Sequence, residues 1–256
     1  VERTRLLVHV LDISGSEGRD PLEDYRTINA ELAAYGRLSE KPQIIVANKM
    51  DLDGAEENLR RLRELLPDAA IFPISAASAQ GLQPLVDAWR AANPNIVRFW
   101  NALGNAASEV IERQNSVRVG KVTVYRKEGH MLIRLPGGRD LCYLSPRFVV
   151  NRFGSQGIGY LAPVANGQLA LQETFGGKLA ENCTQSIARD LLAHAMLSLE
   201  AAGYPIVFHV HDEAVMEVPI GQGSVEEACR IMAIPPDWAW DLPLRADGEE
   251  MEFYRK

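Results

Sequence analysis

The first third of the chain alternates between apolar runs and amphipathic segments. Three runs rich in leucine and β-branched residues are typical of strands buried on both faces: RLLVHVLDI, PQIIVANKMD and AIFPISA. The segments between them have apolar residues at helical spacing, and they end at Gly36 and Pro67. This βαβαβ order predicts an α/β fold, a three-stranded parallel sheet with helices on its faces. We expect strands near 5–12, 43–48 and 70–75 and a closing helix from Leu82 to Arg90.

The pattern changes after about residue 86. A mostly helical stretch interrupted near Pro94 leads into short strands, GKVTVYR, HMLIRL and DLCYL. A long helix follows from about Lys178 to Ala202, then two strand-like runs within FHVHDEAVMEV and a short helix near 224–232. This part predicts an α+β region with antiparallel hairpins and a long helix. We therefore expect two domains, 1–84 and 85–256.

Charge is unevenly distributed along the 256 residues, whose formal net charge is −7. Residues 87–200 hold 13 basic and 9 acidic side chains, whereas residues 201–256 hold 4 and 11. A basic stretch within an acidic chain is compatible with a phosphate-binding face, although an ordinary solvated surface explains the charge equally well.

The apolar runs are all too short for a membrane span. Cys142, Cys183 and Cys229 lie far apart without metal-type spacing, so we expect them in or near the core of a protein in the reducing cytoplasm. Because Val1 stands inside an apolar run, we also expect the chain to be part of a longer one.

The segment NKMD ends the second predicted strand, where α/β sheets bind ligands. A carboxylate there, Asp51, can accept hydrogen bonds from the N1–H and 2-amino groups of guanine. Ser75 and Ala76 end the next strand, where a backbone N–H can meet the guanine O6. Together with Asn48 and Lys49, they predict a guanine-reading site.

Residues 2–82 resemble the Obg family of ribosome-associated GTPases, through RTRLLVHVLDISGSEGRDP, KPQIIVANKMDL and IFPISAASAQGL. The resemblance implies a P-loop GTPase-like sheet and the same guanine-reading residues. However, the phosphate-binding motif G-x-x-x-x-G-K-[ST] is missing, so we expect GTP and GDP to bind weakly. The family's sheet has further strands beside residues 5–12. We therefore expect an exposed edge there, with possible self-association.

The stretch FHVHDEAVMEV joins two strand-like runs through His211, Asp212 and Glu213. Adjacent carboxylates at a tight turn are hard-oxygen ligands suited to Mg²⁺, although a polar hairpin tip has the same composition. Strand alternation predicts His209 and His211 on one face, with Val210 and Asp212 on the other.

Residues 85–256 resemble the family A DNA polymerases of phages and prophages, through LVDAWRAANPNIVRFW, LPGGRDLCYL, the stretch from GGKLAENCTQSIARD to VHDEAVMEVP, and WAWDLPLRADGEEMEFYRK. The resemblance implies a palm hairpin in which Asp212 binds metal, Glu213 is the companion acid and His211 lies near the primer end. Gln185 would touch the minor groove, and Arg189 would bind either a phosphate or a carboxylate. Basic residues on the small sheet would contact the duplex backbone: Arg126, Lys127, Arg134, Arg139 and Arg147.

The family's second aspartate and its triphosphate-binding cations come from segments that the Obg-like part replaces here. Two-metal phosphoryl transfer needs both sets of groups. We therefore interpret the chain as a chimera, DNA polymerase-like and incomplete by itself, with primer–template DNA as partner and weakly held Mg²⁺ as cofactor. The alternatives are an Obg-type GTP-binding module and a non-catalytic DNA-binding or structural remnant.

Overall fold

The computed structural model describes residues 6–34, 36–151, 154–165 and 167–254. Arg5 of the first predicted strand and Tyr35 of the first predicted helix lie outside these residues. The chain divides into two compact units, Val1–Pro94 and Asn95–Lys256. Each unit is described by itself below, and the boundary expected between residues 84 and 85 stays a prediction.

The first unit contains a three-stranded parallel sheet in the order β1-β2-β3, as predicted. The strands are β1 (Leu7–Asp12), β2 (Gln43–Asn48) and β3 (Ile71–Pro73). The helices are α1 (Pro21–Ala34), α2 (Ala55–Leu65) and α3 (Leu82–Ala92), and a 3₁₀ helix covers Gly36–Glu40. The closing helix therefore lies where its apolar pattern indicated.

Burial of the strands differs from the expectation for β1. In β2, Ile45, Val46 and Ala47 are all buried, as in a central strand covered on both faces. In β1, however, Val8 and Val10 are 47% and 58% exposed. The expectation of burial on both faces is wrong for β1, because the apolar core of this unit is built on one face of the strand, with α1 and α2, which leaves Val8 and Val10 exposed.

The second unit begins with α4 (Pro94–Arg113) and continues into a six-stranded antiparallel meander. Its strands are β4 (Ser116–Val119), β5 (Val122–Lys127), β6 (His130–Arg134), β7 (Asp140–Val150), β8 (Gln156–Pro163) and β9 (Leu169–Thr174). The sequence did not predict β8 and β9, and it ended β7 too early. Glycine and polar residues in QGIGYLAP and LALQET hide the apolar alternation on which strand prediction depends.

The long helix α5 (Gly176–Ala201) packs against α4 and one face of the meander. Leu103, Met131, Ile133 and Leu179 are fully buried in this core. Cys183 is buried there too, and Cys229 is partly buried. Cys142 is exposed, which corrects the expectation for that residue: strand alternation places it on the outer face of β7, opposite the buried Tyr143.

The chain then forms an antiparallel hairpin of β10 (Ile206–Val210) and β11 (Glu213–Met216), followed by α6 (Val225–Met232) and a short 3₁₀ helix at Asp237–Ala239. A separate small core forms here. Its members include residues of α5, of the turn after it, of the hairpin and of α6: Leu199, Tyr204, Ile206, Ala214, Met216, Ala228 and Ile231. Among the described helices, none is long and apolar enough to cross a membrane.

Candidate functional site

The residues predicted to read guanine lie at the carboxyl ends of β2 and β3. The side-chain oxygen Oδ1 of Asn48 accepts a hydrogen bond from the backbone N–H of Ala76 at 3.0 Å. Ser75 is fully buried, and its hydroxyl accepts a hydrogen bond from the N–H of Ser78 at 3.1 Å. The two loops are thus joined, while the predicted base contacts of Asn48 and Ala76 stay predictions.

Lys49 has a left-handed backbone with φ of 66°, and its side chain turns towards the end of β1. Its Nζ lies 2.6 Å from Oδ2 of Asp12 and donates to the hydroxyl of Ser16 at 3.1 Å. Asp51 is exposed, and its carboxylate makes no hydrogen bond or ion pair with another described residue. Asp51 is therefore free to accept hydrogen bonds from a base.

The carboxylate of Asp12 is the centre of this loop. It accepts hydrogen bonds from the N–H and hydroxyl of Ser14, at 3.1 and 2.6 Å, and from the hydroxyl of Ser16 at 3.0 Å. Burial opposes ionisation of Asp12, but the bonds from Lys49, Ser14 and Ser16 outweigh it and lower its pKa to about 2. Because the donors of Ser14, Ser16 and Lys49 are already bonded to the Asp12 carboxylate, few donors of this loop remain to bind a second anion such as phosphate.

In the second unit, Asp212 stands in the two-residue turn of the hairpin, and its side chain is exposed. His211 precedes it with a left-handed φ of 51°, and Glu213 pairs across the hairpin with Val210. The expected alternation of faces is wrong beyond Val210, because the left-handed turn at His211 ends the extended backbone on which alternation depends.

Glu213 has a hydrogen-bond partner that could not be predicted from the sequence. The hydroxyl of Tyr254 donates a hydrogen bond to Oε2 of Glu213 at 3.0 Å. The ring of Tyr254 also stands edge-on to that of Phe208, with centroids 5.1 Å apart. Because 41 residues separate Glu213 from Tyr254, only the tertiary structure reveals this contact.

Helix α5 brings two of the predicted DNA-binding residues next to the hairpin. The guanidinium nitrogen Nη2 of Arg189 lies 3.1 Å from Nε2 of His209. Gln185 lies one helical turn earlier, and its amide donates a long hydrogen bond of 3.4 Å to Glu181. We call the surface formed by Gln185, Arg189, His209 and the Asp212 turn the α5–hairpin face.

Arg139 also contacts α5, but its guanidinium donates its hydrogen bonds to groups of the protein itself. Its Nε donates to Oδ1 of Asp190 at 2.8 Å and its Nη2 donates to the carbonyl oxygen of Ser186 at 3.0 Å. The other oxygen of Asp190 is buried without a hydrogen-bond partner among the described residues. Arg139 therefore holds the β6–β7 turn against α5, and a DNA phosphate would compete with the Asp190 carboxylate for it.

The other four basic residues predicted to contact the duplex make no contact with the residues of the α5–hairpin face among the described residues. Arg134 forms a two-pronged pair with Asp140, at 2.5 and 2.8 Å, and these hydrogen bonds raise its pKa. Arg126 donates to the carbonyl oxygen of Ile111 at 3.0 Å, and Lys127 lies 4.0 Å from Glu128. Arg147 is exposed, without a side-chain bond to another described residue. A DNA-binding role for all four stays a prediction.

The Asp212 turn offers two adjacent carboxylates, Asp212 and Glu213, as candidate Mg²⁺ ligands. Nowhere in the described parts of the chain do three or more histidine, cysteine, aspartate or glutamate side chains form a group suited to a metal. One oxygen of Glu213 already accepts the hydrogen bond from Tyr254. Proteins usually hold Mg²⁺ through one or two carboxylates together with waters and substrate phosphates, and a metal-binding role for Asp212 stays a prediction.

Comparisons with known proteins give two separate sets of relatives. No family model matches the chain. A DNA polymerase of Bacillus phage SP02 is 40% identical over 181 residues, which are 70% of this chain and 28% of that protein. The GTPase Obg of Heliobacterium modesticaldum is 71% identical over 87 residues, and that of Lysinibacillus sphaericus 62% identical over 88.

The chain spans less than a third of the length of these curated relatives: 28% of the polymerase and 20% of each of the two GTPases. Its Obg matches cover about a third of the chain, at much higher identity than the polymerase match that covers most of it. The chain thus matches both a phage DNA polymerase and Obg GTPases, a combination consistent with a chimera of the two.

Proposed function

We propose that the second unit is a DNA polymerase palm-like fragment that binds primer–template DNA, and that nucleotidyl transfer needs groups beyond those it supplies. The similarity to a phage DNA polymerase over 70% of the chain supports a polymerase-like function. The missing group of carboxylates at the Asp212 turn, among the described residues, argues against catalysis by this chain alone.

The contact between Arg189 and His209 carries the proposal. At 3.1 Å it places Arg189 of α5 beside His209 of the hairpin. We infer that Gln185, Arg189 and the Asp212 turn belong to one surface. The sequence predicts that Gln185, Arg189 and His211 contact the duplex or the primer end. They lie on α5 and the hairpin, two elements that touch.

The chemistry of this face suits duplex DNA. Every base pair offers an acceptor in the minor groove, purine N3 or pyrimidine O2, and a glutamine amide can donate to either. The bond from Gln185 to Glu181 is long and exposed, so it is readily exchanged for a base. Arg189 adds a guanidinium for phosphate, which binds without regard to sequence.

The direct test measures binding of a fluorescent primer–template by anisotropy across a salt series. We expect weak, sequence-independent binding that falls steeply with salt. Arg189→Gln should weaken binding and reduce the slope of log affinity against log salt by about 0.9, the value for one lost phosphate contact.

Arg230→Gln is the matched control, because Arg230 lies on α6 and pairs with Glu227 at 3.6 Å. It makes the same change of charge without touching the α5–hairpin face. Equal weakening by both variants, or salt-independent binding by the unmodified chain, would contradict the proposal. Binding without primer extension is the result that we expect for this chain alone.

A second candidate function is guanine-nucleotide binding by the first unit. The hydrogen bond from Ala76 to Asn48 favours it, because this bond aligns the two loops that would face the base. Obg GTPases up to 71% identical over about a third of the chain support the same function. Since phosphate contacts dominate affinity in such proteins, we propose that binding is weak.

A further inference from the structure

Arg189 of α5 has a histidine, and not a carboxylate, as its side-chain partner. Its Nη2 lies 3.1 Å from Nε2 of His209 in β10. Both side chains are exposed, and Arg189 forms no ion pair with a carboxylate of the described residues. The positive charge of Arg189 is therefore not neutralised by the parts of the fold that the structure describes.

This contact requires a particular protonation state of His209. A guanidinium has only donors, so Nε2 of His209 must be the ring nitrogen that carries a lone pair. The imidazole is then neutral, with its proton on Nδ1. A protonated His209 would have an N–H on both nitrogens and nothing to accept the bond. The hydrogen bond from Arg189 to His209 therefore exists while His209 is uncharged.

Protonation of His209 changes what this pair can bind. Histidine is the side chain whose charge changes between about pH 5 and 8. Once His209 is charged, its bond with Arg189 is lost and two exposed cations stand side by side, where they repel each other. An anion placed between them relieves the repulsion and accepts hydrogen bonds from both. A phosphate suits this position, because its oxygens accept from charged donors strongly.

The charged groups around His209 leave this position to an incoming anion. Across the hairpin His209 pairs with the uncharged Ala214, and Glu213 lies on the opposite face, where it meets Tyr254. On α5 and α6, three carboxylates each have a partner: Asp190 with Arg139, Glu200 with the N–H of Ile206, and Glu227 with Tyr204 and Arg230. Glu226 and Arg230 of α6 lie beside residues 244–247 instead. The titratable groups of the turn, His211 and Asp212, follow His209 along the chain.

We propose that Arg189 and His209 form a proton-linked phosphate clamp: protonation of His209 breaks its contact with Arg189, and both cations then bind one phosphate of the DNA backbone. This inference rests on the proposed function, because it concerns the same α5–hairpin face. It adds His209 to the residues that contact DNA and makes the affinity for DNA depend on pH.

The direction of the pH dependence follows from linkage. A bound phosphate favours the charged form of His209, so DNA binding takes up a proton. By reciprocity, protonation strengthens DNA binding to the same extent. Affinity should therefore rise as pH falls, by at most about tenfold per pH unit for one linked proton.

The test measures binding of a fluorescent primer–template to the whole chain by anisotropy, at about pH 7.5 and about pH 5.5 across a salt series. The unmodified chain should bind about threefold to tenfold more tightly at the lower pH. The slope of log affinity against log salt should also become steeper there by about 0.9, the value for one further phosphate contact.

His209→Gln is the decisive variant. Its amide oxygen can still accept a hydrogen bond from Arg189, but the side chain does not titrate. It should lose most of the gain in affinity and the change in slope. His194→Gln is the matched control, because His194 lies on α5 outside the α5–hairpin face, and it should keep both. Loss of the gain in His211→Gln, with the gain kept in His209→Gln, would assign the proton to the turn and overturn the inference.

Nitrogen NMR of the free chain gives a readout that does not depend on DNA. At neutral pH, His209 should carry its proton on Nδ1, and Arg189→Gln should shift it towards the Nε2–H tautomer. A free nucleotide also offers phosphates, so calorimetry with dTTP forms a second arm. An affinity for dTTP that depends on pH through His209, without such dependence for DNA, would overturn the assignment to the DNA backbone.

The outcomes separate the two proposals. If the unmodified chain binds DNA and His209→Gln gains as much affinity on acidification, the inference fails and the proposed function stands. If the unmodified chain binds DNA at neither pH, the proposed function fails, and the inference fails with it.

Discussion

Lys49 and Asp12 form an ion pair of 2.6 Å between the ends of the neighbouring strands β2 and β1. The Asp12 carboxylate also collects the hydrogen bonds of Ser14 and Ser16. Asp12 therefore organises the loop after β1 in the way that a bound ligand would. This relationship makes the loop sensitive to acid.

Removal of the Asp12 carboxylate tests that sensitivity. Asp12→Ala should lower the free energy of unfolding of the first unit by about 1–2 kcal/mol at neutral pH, because three hydroxyl and amide donors and one ammonium group lose their acceptor. The pKa of Asp12 is depressed to about 2 in the folded chain. Its contribution is thus present above its ordinary pKa near 4 and is lost as pH falls through 2.

The measurement is hydrogen exchange of β1 and β2 in both proteins at a series of pH values. The difference between them should shrink as pH falls through 2, where Asp12 becomes protonated. Asp53→Ala is the control, since that side chain is exposed and makes no bond with a described residue. A difference that persists unchanged at pH 2 would contradict the assignment.

Guanine selectivity is expected if Asn48 and Asp51 form a base site. GDP should raise the melting temperature of the first unit slightly at millimolar concentration, whereas ADP should not, because adenine lacks the N1–H and 2-amino donors. Without a phosphate cradle, the dissociation constant should be roughly millimolar, near −4 kcal/mol. Asp51→Ala should abolish the effect, and micromolar affinity by calorimetry would show that phosphate contacts exist after all.

Packing between α4 and α5 depends on a glycine. A Cβ atom at Gly176 would overlap the carbonyl oxygen of Trp100. Gly176→Ala should therefore lower the free energy of unfolding of the second unit by about 1–3 kcal/mol, the usual cost of overpacking. At Gly104, the nearest atoms to an added Cβ lie 3.5 Å away, in Gly176. Gly104→Ala should be neutral or stabilising, and equal losses in urea denaturation would refute the distinction.

Self-association through β1 follows from its position. Among the strands that the structure describes, only β2 pairs with β1, and Val8 and Val10 are exposed. An apolar edge strand of this kind pairs readily with another chain. Sedimentation velocity should show a concentration-dependent shift that Val10→Lys suppresses. A monodisperse monomer at high concentration would count against association.

Primer extension should not occur with this chain alone, in Mg²⁺ or in Mn²⁺. Carboxylates from a second strand and cations for the triphosphate are needed to stabilise the transition state. Their loss costs several kcal/mol, and each 1.36 kcal/mol is about tenfold in rate. Asp212→Ala should match the unmodified chain. Incorporation that disappears in Asp212→Ala would show that the first unit or a second chain completes the site.

The sequence alone determined the local structure of most elements. The βαβαβ order, the break at Pro94, the long helix α5 and the hairpin around Asp212 all follow from apolar periodicity and from glycine and proline positions, which act over a few residues. It missed β8 and β9, whose polar and glycine-rich strands are ordered by pairing with β7 and with each other. Such pairing depends on cross-strand neighbours that are distant in sequence, so the propensity of the local residues does not predict it.

The tertiary structure decided which charged groups meet. The sequence indicated Arg139, Arg189 and Glu213 as site residues, but not that Arg139 pairs with Asp190, Arg189 with His209, or Glu213 with Tyr254. These partners lie 20 to 51 residues apart along the chain. Contacts over such separations are created only when α5, the hairpin and the C-terminal segment pack together, because folding brings the charges within hydrogen-bonding distance.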